Sequence, residues 1–212
     1  NLVYTEHARR HLVSEGLPHR RIYLSGSPMF EVLNYYRPKI EESKITDSLK
    51  LTADSFFLVS AHREENVDNR GNLIKILTIL NKLVEKYNLP VVVSTHPRTR
   101  KRLENVKEIT INPHISFLKP FGFVDYVRLQ MNALCTLSDS GTISEESAIL
   151  DFPAVSIRQS MERPEAQDSG TIILTGFDPE VVMASIELAI SEHDQKIPKN
   201  IPPEYQVPDT SW

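Results

Sequence analysis

Residues 134–150 read LCTLSDSGTISEESAIL and contain the pattern that decides the fold. The apolar run 134–138 predicts a buried strand, and residues 142–150 predict a helix. The small residues between them, Asp139 to Gly141, predict a tight turn. The first-turn N–H groups of a helix, together with its dipole, attract anions. The segment therefore predicts a strand, a turn and a helix with an anion site at the turn.

The same alternation of strand and helix continues on both sides of this segment. Apolar runs predict strands at residues 55–60, 91–93, 115–118, 154–157 and 171–174. Helical spacing predicts helices at 71–87 and 124–132, and Asp178-Pro179 predicts the start of a helix that ends near residue 192. Such alternation is typical of a parallel sheet covered by helices on both faces. We predict an α/β, Rossmann-like, doubly wound parallel sheet.

The first 50 residues fit this alternation less well. We expect a helix at 5–15, a short strand at 21–24, a turn at 25–28 and a helix at 29–36. The charged stretch 39–50 predicts a linker or surface loop. We interpret residues 1–40 as the tail of a preceding domain with its linker, and residues 41–212 as the Rossmann-like domain. We also expect both ends to lie inside a longer chain, because the sequence starts at Asn1 and stops after a Pro-rich run.

The composition is that of an ordinary globular protein. The chain has 212 residues, 40% of them apolar and 25% charged, with a net charge of −4. A slightly acidic chain is not expected to bind nucleic acid or an anionic membrane surface. The single cysteine, Cys135, is expected to be buried and inert. With no signal segment and no apolar span, we expect a cytoplasmic protein.

Charged and polar residues follow the first two predicted strands of the domain. His62 and Arg63 come after the first strand, where ligands of parallel sheets bind. Arginine suits phosphate, and histidine can donate to phosphate or move a proton. His96 follows the second strand. A solvated loop remains the alternative at both places, and we expect Arg100 to Arg102 to be solvated.

The fourth and fifth strands are also followed by candidates for ligand binding. Gly141 lets a ligand approach the backbone closely. Glu146 lies one turn into the predicted helix, where a carboxylate could reach a ribose diol, whereas Glu145 has capping-box spacing from Thr142. Arg163 lies between two carboxylates and could donate to a diphosphate. The alternatives are favourable placement of acids near a helix N-terminus and a surface ion-pair loop.

These motifs, in this order, resemble the non-hydrolysing UDP-N-acetylglucosamine 2-epimerases. The motifs that match the family are His62-Arg63-x-Glu65-Asn66, Thr95-His96-Pro97, Asp139-Ser140-Gly141 with Glu145-Glu146, Glu162-Arg163-Pro164-Glu165 and Gly170-Thr171. The resemblance covers most of residues 1–180. It implies two Rossmann-type domains in the glycosyltransferase-B arrangement, of which this chain is the C-terminal lobe. It also implies a reaction that eliminates UDP, leaves a glycal and re-adds UDP after proton exchange at C2.

The resemblance assigns roles by motif position. His62 is the implied catalytic residue, at the diphosphate and cleft. Ser140 and Gly141 are the implied diphosphate contacts, Arg163 is the implied phosphate contact, and Arg63 is predicted to bind substrate. The remaining implied contacts are Glu146 with the ribose, Tyr126 with the uracil and His96 with a second, activating UDP-sugar site. No cofactor and no metal are implied.

The family's catalytic carboxylates belong to the N-terminal domain, which this chain matches only in its first residues. The resemblance thus implies an absent N-terminal domain as partner, a homodimer of the full-length enzyme and an inactive isolated chain. Glu64, Thr142 and the tail 202–212 depart from the plain family pattern. They resemble the branch that epimerises UDP-2-acetamido-2,6-dideoxy-L-talose for capsule or O-antigen synthesis. A UDP-sugar-dependent glycosyltransferase and a non-catalytic UDP-sugar-binding module remain as alternatives.

Overall fold

The computed structural model describes residues 1–63, 66, 68–103, 106 and 108–210, apart from the side chain of Arg98. Its strands are β1 (Leu2–Val3), β2 (Tyr23–Leu24), β3 (Phe57–Ser60), β4 (Val91–Ser94), β5 (Ile115–Leu118), β6 (Cys135–Ser138), β7 (Ala154–Ser156) and β8 (Ile173–Leu174). Its helices are α1 (Glu6–Ser14), α2 (Met29–Glu42), α3 (Ile45–Ser48), α4 (Arg70–Tyr87), α5 (Pro97–Leu103), α6 (Phe123–Asn132), α7 (Ile143–Leu150), α8 (Pro164–Asp168) and α9 (Pro179–Asp194).

The main sheet is parallel throughout, with the strand order β5-β4-β3-β6-β7-β8. The chain adds strands outward from β3 in one direction and then restarts beside β3 with β6. This reversal is the topological switch point of the classical dinucleotide-binding order, where ligands of doubly wound sheets bind. The predicted fold class is confirmed.

Each face of the sheet has its own apolar core. Phe57 and Val59 pack with residues of α4 and α9 in one cluster, whereas Phe56 and Leu58 pack with Leu129 of α6 in another. Successive residues of a strand point to opposite faces, so a strand covered on both sides must be apolar at every position. This double burial explains why the strand runs do not alternate between apolar and polar residues.

Cys135 belongs to the cluster under α4 and α9 and has no exposed surface. Burial raises the pKa of its thiol to about 12, with opposing contributions from Lys199 and a backbone contact with Thr136. A thiol in this environment stays protonated near neutral pH and packs as a small apolar group. The prediction of an inert buried cysteine is confirmed.

The N-terminal segment is more regular than the sequence suggested. Residues 39–50 were predicted as a linker or loop, which is wrong, because α2 continues through Pro38 to Glu42 and α3 follows. Leu33 and Ile40 of α2 are buried against Val127 of α6. This packing explains the long α2, since tertiary contacts outweigh the local charge pattern. A domain boundary at residue 40 stays a prediction.

The strands of the main sheet end in register. Ser60 pairs with Ser94 on one side and with Ser138 on the other, and Ser138 pairs with Ser156. Four neighbouring strands therefore end on one row of serines. The residues two positions beyond this row are His96, His62, Ser140 and Arg158. The register thus brings four separate loops to one edge of the sheet.

Two features are absent from the described part of the chain, a membrane-spanning helix and a cluster of metal ligands. None of the helices described has the length and apolar composition needed to cross a bilayer. Within the same residues, no group of three or more His, Cys, Asp or Glu side chains is arranged to hold a metal ion.

We predict that Leu137→Ala unfolds at lower denaturant concentration, with a loss of about 2–5 kcal/mol in the free energy of unfolding. Leu137 is 1% exposed in the central strand β6, so the substitution leaves a cavity in the core. Urea denaturation measures the loss. Leu188→Ala is the matched control, because Leu188 is 51% exposed on α9. Equal losses for the two variants would contradict the placement of β6 at the centre.

Candidate functional site

Asp139 joins the two loops on either side of the switch point. Its side chain is fully buried just beyond β6, and Oδ2 accepts hydrogen bonds from the backbone N–H groups of His62 and Arg63, both at 2.9 Å. The same oxygen accepts from Asn66 Nδ2 at 2.8 Å. Hydrogen bonds to an ionised acceptor are stronger than those between neutral groups. Asp139 therefore fixes the loop after β3 to the loop after β6.

His62 is oriented by the same carboxylate. Its Nδ1 lies 3.2 Å from Asp139 Oδ1 and 3.5 Å from Ser60 Oγ. The imidazole is 49% exposed, whereas the carboxylate is buried, so the ring is anchored on its Nδ1 side and open to solvent on the other. Asp139 Oδ1 accepts no hydrogen bond within the described part of the chain, so its contact with the His62 ring is one of distance and charge alone.

The turn between β6 and α7 is held by its own hydroxyl groups. Ser140 Oγ lies 2.9 Å from Thr142 Oγ1, and the N–H of Ser140 donates to Ser138 Oγ at 3.1 Å. Thr142 is the N-cap residue of α7 but makes no side-chain capping bond, so the capping box predicted with Glu145 is wrong. Both Glu145 and Glu146 are instead buried in the interior.

Glu146 points into the protein from the first turn of α7. One of its oxygens accepts from Gln130 Nε2 of α6 at 2.6 Å. Burial raises the pKa of this carboxyl group, although hydrogen bonds from Gln130 and Thr142 act in the opposite direction. Tyr126, also on α6, has a buried hydroxyl near Ser60 and Ser138, and burial raises its pKa. The roles predicted for Glu146 and Tyr126 stay predictions.

Arg163 is held between a buried acid and an aromatic ring. Its Nε lies 3.7 Å from Glu145 Oε1, and its guanidinium lies 5.8 Å from the centre of the Tyr4 ring. Burial raises the pKa of the Glu145 carboxyl, against a hydrogen bond from Ser27 and the charge of Arg163. The pair links α7 to the loop before α8 and to the N-terminal segment.

Arg63 and Arg158 form a second basic group on the other side of the turn. Arg63 Nε donates to the carbonyl oxygen of Asp139 at 2.9 Å. Its guanidinium and that of Arg158 both bind the carboxylate of Glu162, each at 2.8 Å. Arg158 is 4% exposed, whereas Glu162 is 45% exposed. Two guanidinium groups therefore face the same space beside Ser140 and Gly141.

His96 is exposed beyond β4, the strand next to β3, and so lies on the same edge of the sheet as the switch-point loops. Arg100, Lys101 and Arg102 on α5 are exposed, as predicted. The motif residues Glu64 and Glu65 and the side chain of Arg98 lie outside the described residues.

A cleft of about 840 Å³ opens beside this site. Tyr4, His7 and His11 of the N-terminal segment line one side of it, and Glu162 and Arg163 line the other. His7 Nε2 also contacts Asp168 Oδ2 of α8 at 2.9 Å. The arginine that flanks the turn is therefore accessible from a space large enough for a small molecule.

Sequence reasoning missed several residues of this site. It gave Asp139 only as part of a motif, although this residue holds three donors, and it left Gln130 and Tyr4 unmentioned. These residues act through contacts between distant parts of the chain. One feature of the sequence could have identified Asp139, namely its position directly after a buried strand and before Ser140-Gly141.

A parallel sheet with anion donors at its switch point defines a Rossmann-like, nucleotide-binding class of protein. The family model described as UDP-N-acetylglucosamine 2-epimerase matches residues 1–211. The chain belongs to this family.

Relatives in the family are about twice as long as this chain. A UDP-N-acetylglucosamine 2-epimerase of Methanocaldococcus jannaschii is 30% identical over 194 residues, which are 89% of this chain and 53% of the relative. One of Methanococcus maripaludis is 32% identical over 195 residues, 86% of this chain and 52% of the relative. The chain thus spans about half the length of the curated relatives it matches.

Solved structures of the family superimpose closely. The structure of a UDP-N-acetylglucosamine 2-epimerase from Rickettsia bellii is similar with a TM-score of 0.90 at 46% identity, over 99% of this chain and 56% of that one. The Methanocaldococcus jannaschii enzyme in complex with UDP-GlcNAc and UDP has a TM-score of 0.85 at 28% identity. That match covers 99% of this chain and 57% of that one. The structure of an Escherichia coli ADP-heptose lipopolysaccharide heptosyltransferase shares only the fold. Its TM-score is 0.52 at 15% identity, and the match covers 73% of this chain and 52% of that one.

We predict that Asp139→Ala lowers the free energy of unfolding by about 3 kcal/mol, because three donors lose their acceptor. Urea denaturation measures the change. Asp47→Ala is the control: Asp47 is exposed on α3, and the loss there should stay within about 0.5 kcal/mol. A loss for Asp139→Ala as small as that of the control would show that the carboxylate does not hold the two loops.

Proposed function

We propose that this chain is the UDP-binding part of a nucleotide-sugar C2 epimerase. The observation that carries the proposal is the pair of loops tied by Asp139 at the switch point, with Ser140, Gly141 and three arginines around them. A UDP diphosphate needs such a set of local donors. The net charge of −4 means that the chain as a whole does not attract an anion. Membership of the epimerase family supports the same reaction class.

In the proposed reaction, residues of this lobe stabilise the negative charge that develops on UDP. When the bond between sugar C1 and the diphosphate oxygen breaks and C2 loses its proton, a glycal forms and negative charge develops on UDP. Donors fixed before the reaction stabilise such charge without reorganising. We assign this role to the hydroxyl of Ser140, the N–H groups that begin α7 and the guanidinium of Arg163.

The uridine end is proposed to lie against α6 and α7. The Glu146 carboxylate, oriented by Gln130 at 2.6 Å, would accept the ribose hydroxyls, and Tyr126 would contact the uracil. His62, anchored by Asp139 at Nδ1, would present Nε2 to the diphosphate and the sugar. His96, on the exposed side of the same edge, is proposed to serve a second, activating UDP-sugar site.

The proton chemistry is proposed to lie outside these 212 residues. The resemblance to the family assigns the catalytic carboxylates to an N-terminal domain, and this chain spans about half the length of the curated relatives it matches. We propose that an N-terminal domain supplies them across the cleft beside Arg163, and that the full-length enzyme is a cytoplasmic homodimer. The isolated chain should then bind UDP and catalyse nothing.

The branch of the family is also a proposal. Thr142 replaces a glycine of the plain family turn, and its hydroxyl lies 2.9 Å from that of Ser140. Together with the Pro-rich tail, this supports epimerisation of UDP-2-acetamido-2,6-dideoxy-L-talose for capsule or O-antigen synthesis. Assays of the full-length enzyme with that sugar and with UDP-GlcNAc decide between the two substrates.

We predict that Glu146→Gln weakens binding of UDP-GlcNAc to the 212-residue chain about tenfold at neutral pH, because an ionised acceptor is lost. The raised pKa of Glu146 sets the pH dependence: the carboxylate form binds, so the advantage of the parent protein over the variant shrinks as pH falls through that raised pKa. Calorimetry from pH 8 downward measures both. The control is Glu187→Gln on α9, which pairs with Lys86. A constant ratio of affinities across pH would argue against the ribose role.

We predict that Arg163→Ala in the full-length enzyme lowers kcat about 100-fold, the effect of losing one preorganised donor worth ~3 kcal/mol. Turnover of UDP-sugar measures the effect. Arg20→Ala, at an exposed position before β2, should leave kcat unchanged. Unchanged turnover in Arg163→Ala would remove this residue from the mechanism.

The product distinguishes the proposed activity from a glycosyltransferase with the same fold. An epimerase incorporates solvent deuterium at C2 without any acceptor, whereas a transferase requires an acceptor and leaves C2 unlabelled. UDP-sugar binding by a full-length protein that performs neither reaction would indicate the non-catalytic module.

A further inference from the structure

A carboxylate of the chain itself occupies the mouth of the turn between β6 and α7. Glu162 follows β7 in the loop that leads to α8. Its Oε1 accepts from Arg158 Nη2 at 2.8 Å, and its Oε2 accepts from Arg63 Nη2 at 2.8 Å. Arg63 Nη1 also lies 2.8 Å from Oε1, so this guanidinium binds both carboxylate oxygens. The geometry is the fork that arginine forms with carboxylate or phosphate.

The same carboxylate lies directly against the glycine of the turn. A Cβ atom added to Gly141 would lie 2.7 Å from Glu162 Oε2, closer than any ordinary contact. The space that remains beside Ser140, Arg158 and Arg163 has a volume of about 10 Å³. That volume barely reaches what one water molecule needs, so Glu162 and a bound phosphate cannot share the space.

The two sides of this ion pair differ in exposure. Arg158 is 4% exposed and fixed among buried residues at the end of β7, whereas Glu162 is 45% exposed on a loop. A hydrogen bond from Arg158 is the main cause that lowers the pKa of Glu162 to about 2; burial opposes it, and a hydrogen bond from Arg63 adds to it, so the carboxyl group is an anion at neutral pH. A buried cation needs a counter-ion at all times. The exposed carboxylate, by contrast, can move into solvent at a low cost in free energy.

We propose that Glu162 is a displaceable internal ligand, and that Arg158 and Arg63 form a clamp that exchanges its carboxylate for a phosphate group. The inference rests on the proposed function and adds Arg158 to the diphosphate-binding residues. In the empty site the carboxylate balances one of the two positive charges of the clamp and fills the space beside Gly141. An arriving diphosphate takes over both guanidinium groups, and Glu162 swings out to solvent.

An internal ligand competes with the external one. The apparent dissociation constant equals the intrinsic constant divided by the fraction of molecules in which the site is open. If the carboxylate holds the clamp in about nine-tenths of molecules, its removal tightens binding about tenfold. A merely supporting role predicts the opposite, since loss of the carboxylate would then disorder the two arginines and weaken binding.

The test compares Glu162→Gln with the parent 212-residue chain, using inorganic pyrophosphate and UDP as ligands in calorimetry. Glutamine keeps the shape of the side chain but removes the charge that binds the clamp. We expect both ligands to bind about tenfold more tightly to the variant. Arg158→Gln should weaken both. Glu180→Gln is the matched control, because it makes the same change of net charge at an 80% exposed side chain on α9 and should alter neither affinity.

The outcomes separate this inference from the proposed function. If the parent chain binds UDP but Glu162→Gln binds no more tightly than Glu180→Gln, the displaceable ligand is wrong and UDP binding stands. If neither the parent chain nor Glu162→Gln binds UDP, both are wrong. A crystal with pyrophosphate gives an independent check: Arg158 should bind a phosphate oxygen, and a Glu162 still seated on Arg158 beside the bound anion would overturn the exchange.

Discussion

The site depends on one buried carboxylate at the switch point of the sheet. Asp139 accepts three hydrogen bonds from the loop after β3 while it begins the loop after β6. Its charge is tolerated in the interior because each donor is directed at it, as buried charge requires. Both the position of His62 and the direction of the turn at Ser140 follow from this contact. The parallel sheet brings the two loops together, and Asp139 holds them in contact.

Around that contact, the protein keeps several charges in low-dielectric surroundings. Glu145 and Glu146 are buried on one helix turn, and Glu165 is buried with the hydroxyl of Tyr205 at 2.9 Å. Arg158 is buried beside the same turn, and Arg163 lies 3.7 Å from Glu145. Such an arrangement costs desolvation energy that an apolar core would not. The proposed function accounts for this cost, because a diphosphate site needs donors that are fixed in advance.

The alternation of strands and helices was predictable because local periodicity determines it. Apolar runs and helical stripes predicted every strand of the main sheet to within two residues, and Asp178-Pro179 predicted the start of α9, where Asp178 caps the N–H groups of Glu180 and Val181. The failures were at places where distant contacts decide. Residues 39–50 read as a loop by charge, yet Ile40 is buried against α6. Thr142 and Glu145 had capping-box spacing, yet Glu145 turns inward to Arg163.

By itself, the sequence determined the class of fold, the edge of the sheet at which function collects, and the motif residues that occupy that edge. These follow from periodicity and from the rule that ligands bind beyond the carboxyl ends of parallel strands. Only the tertiary structure decided which of those residues meet. It joined Asp139 to the backbone of His62, turned Glu145 toward Arg163 and seated Glu162 on Arg158. Contacts between residues far apart in the chain depend on strand order and register, which no local pattern encodes.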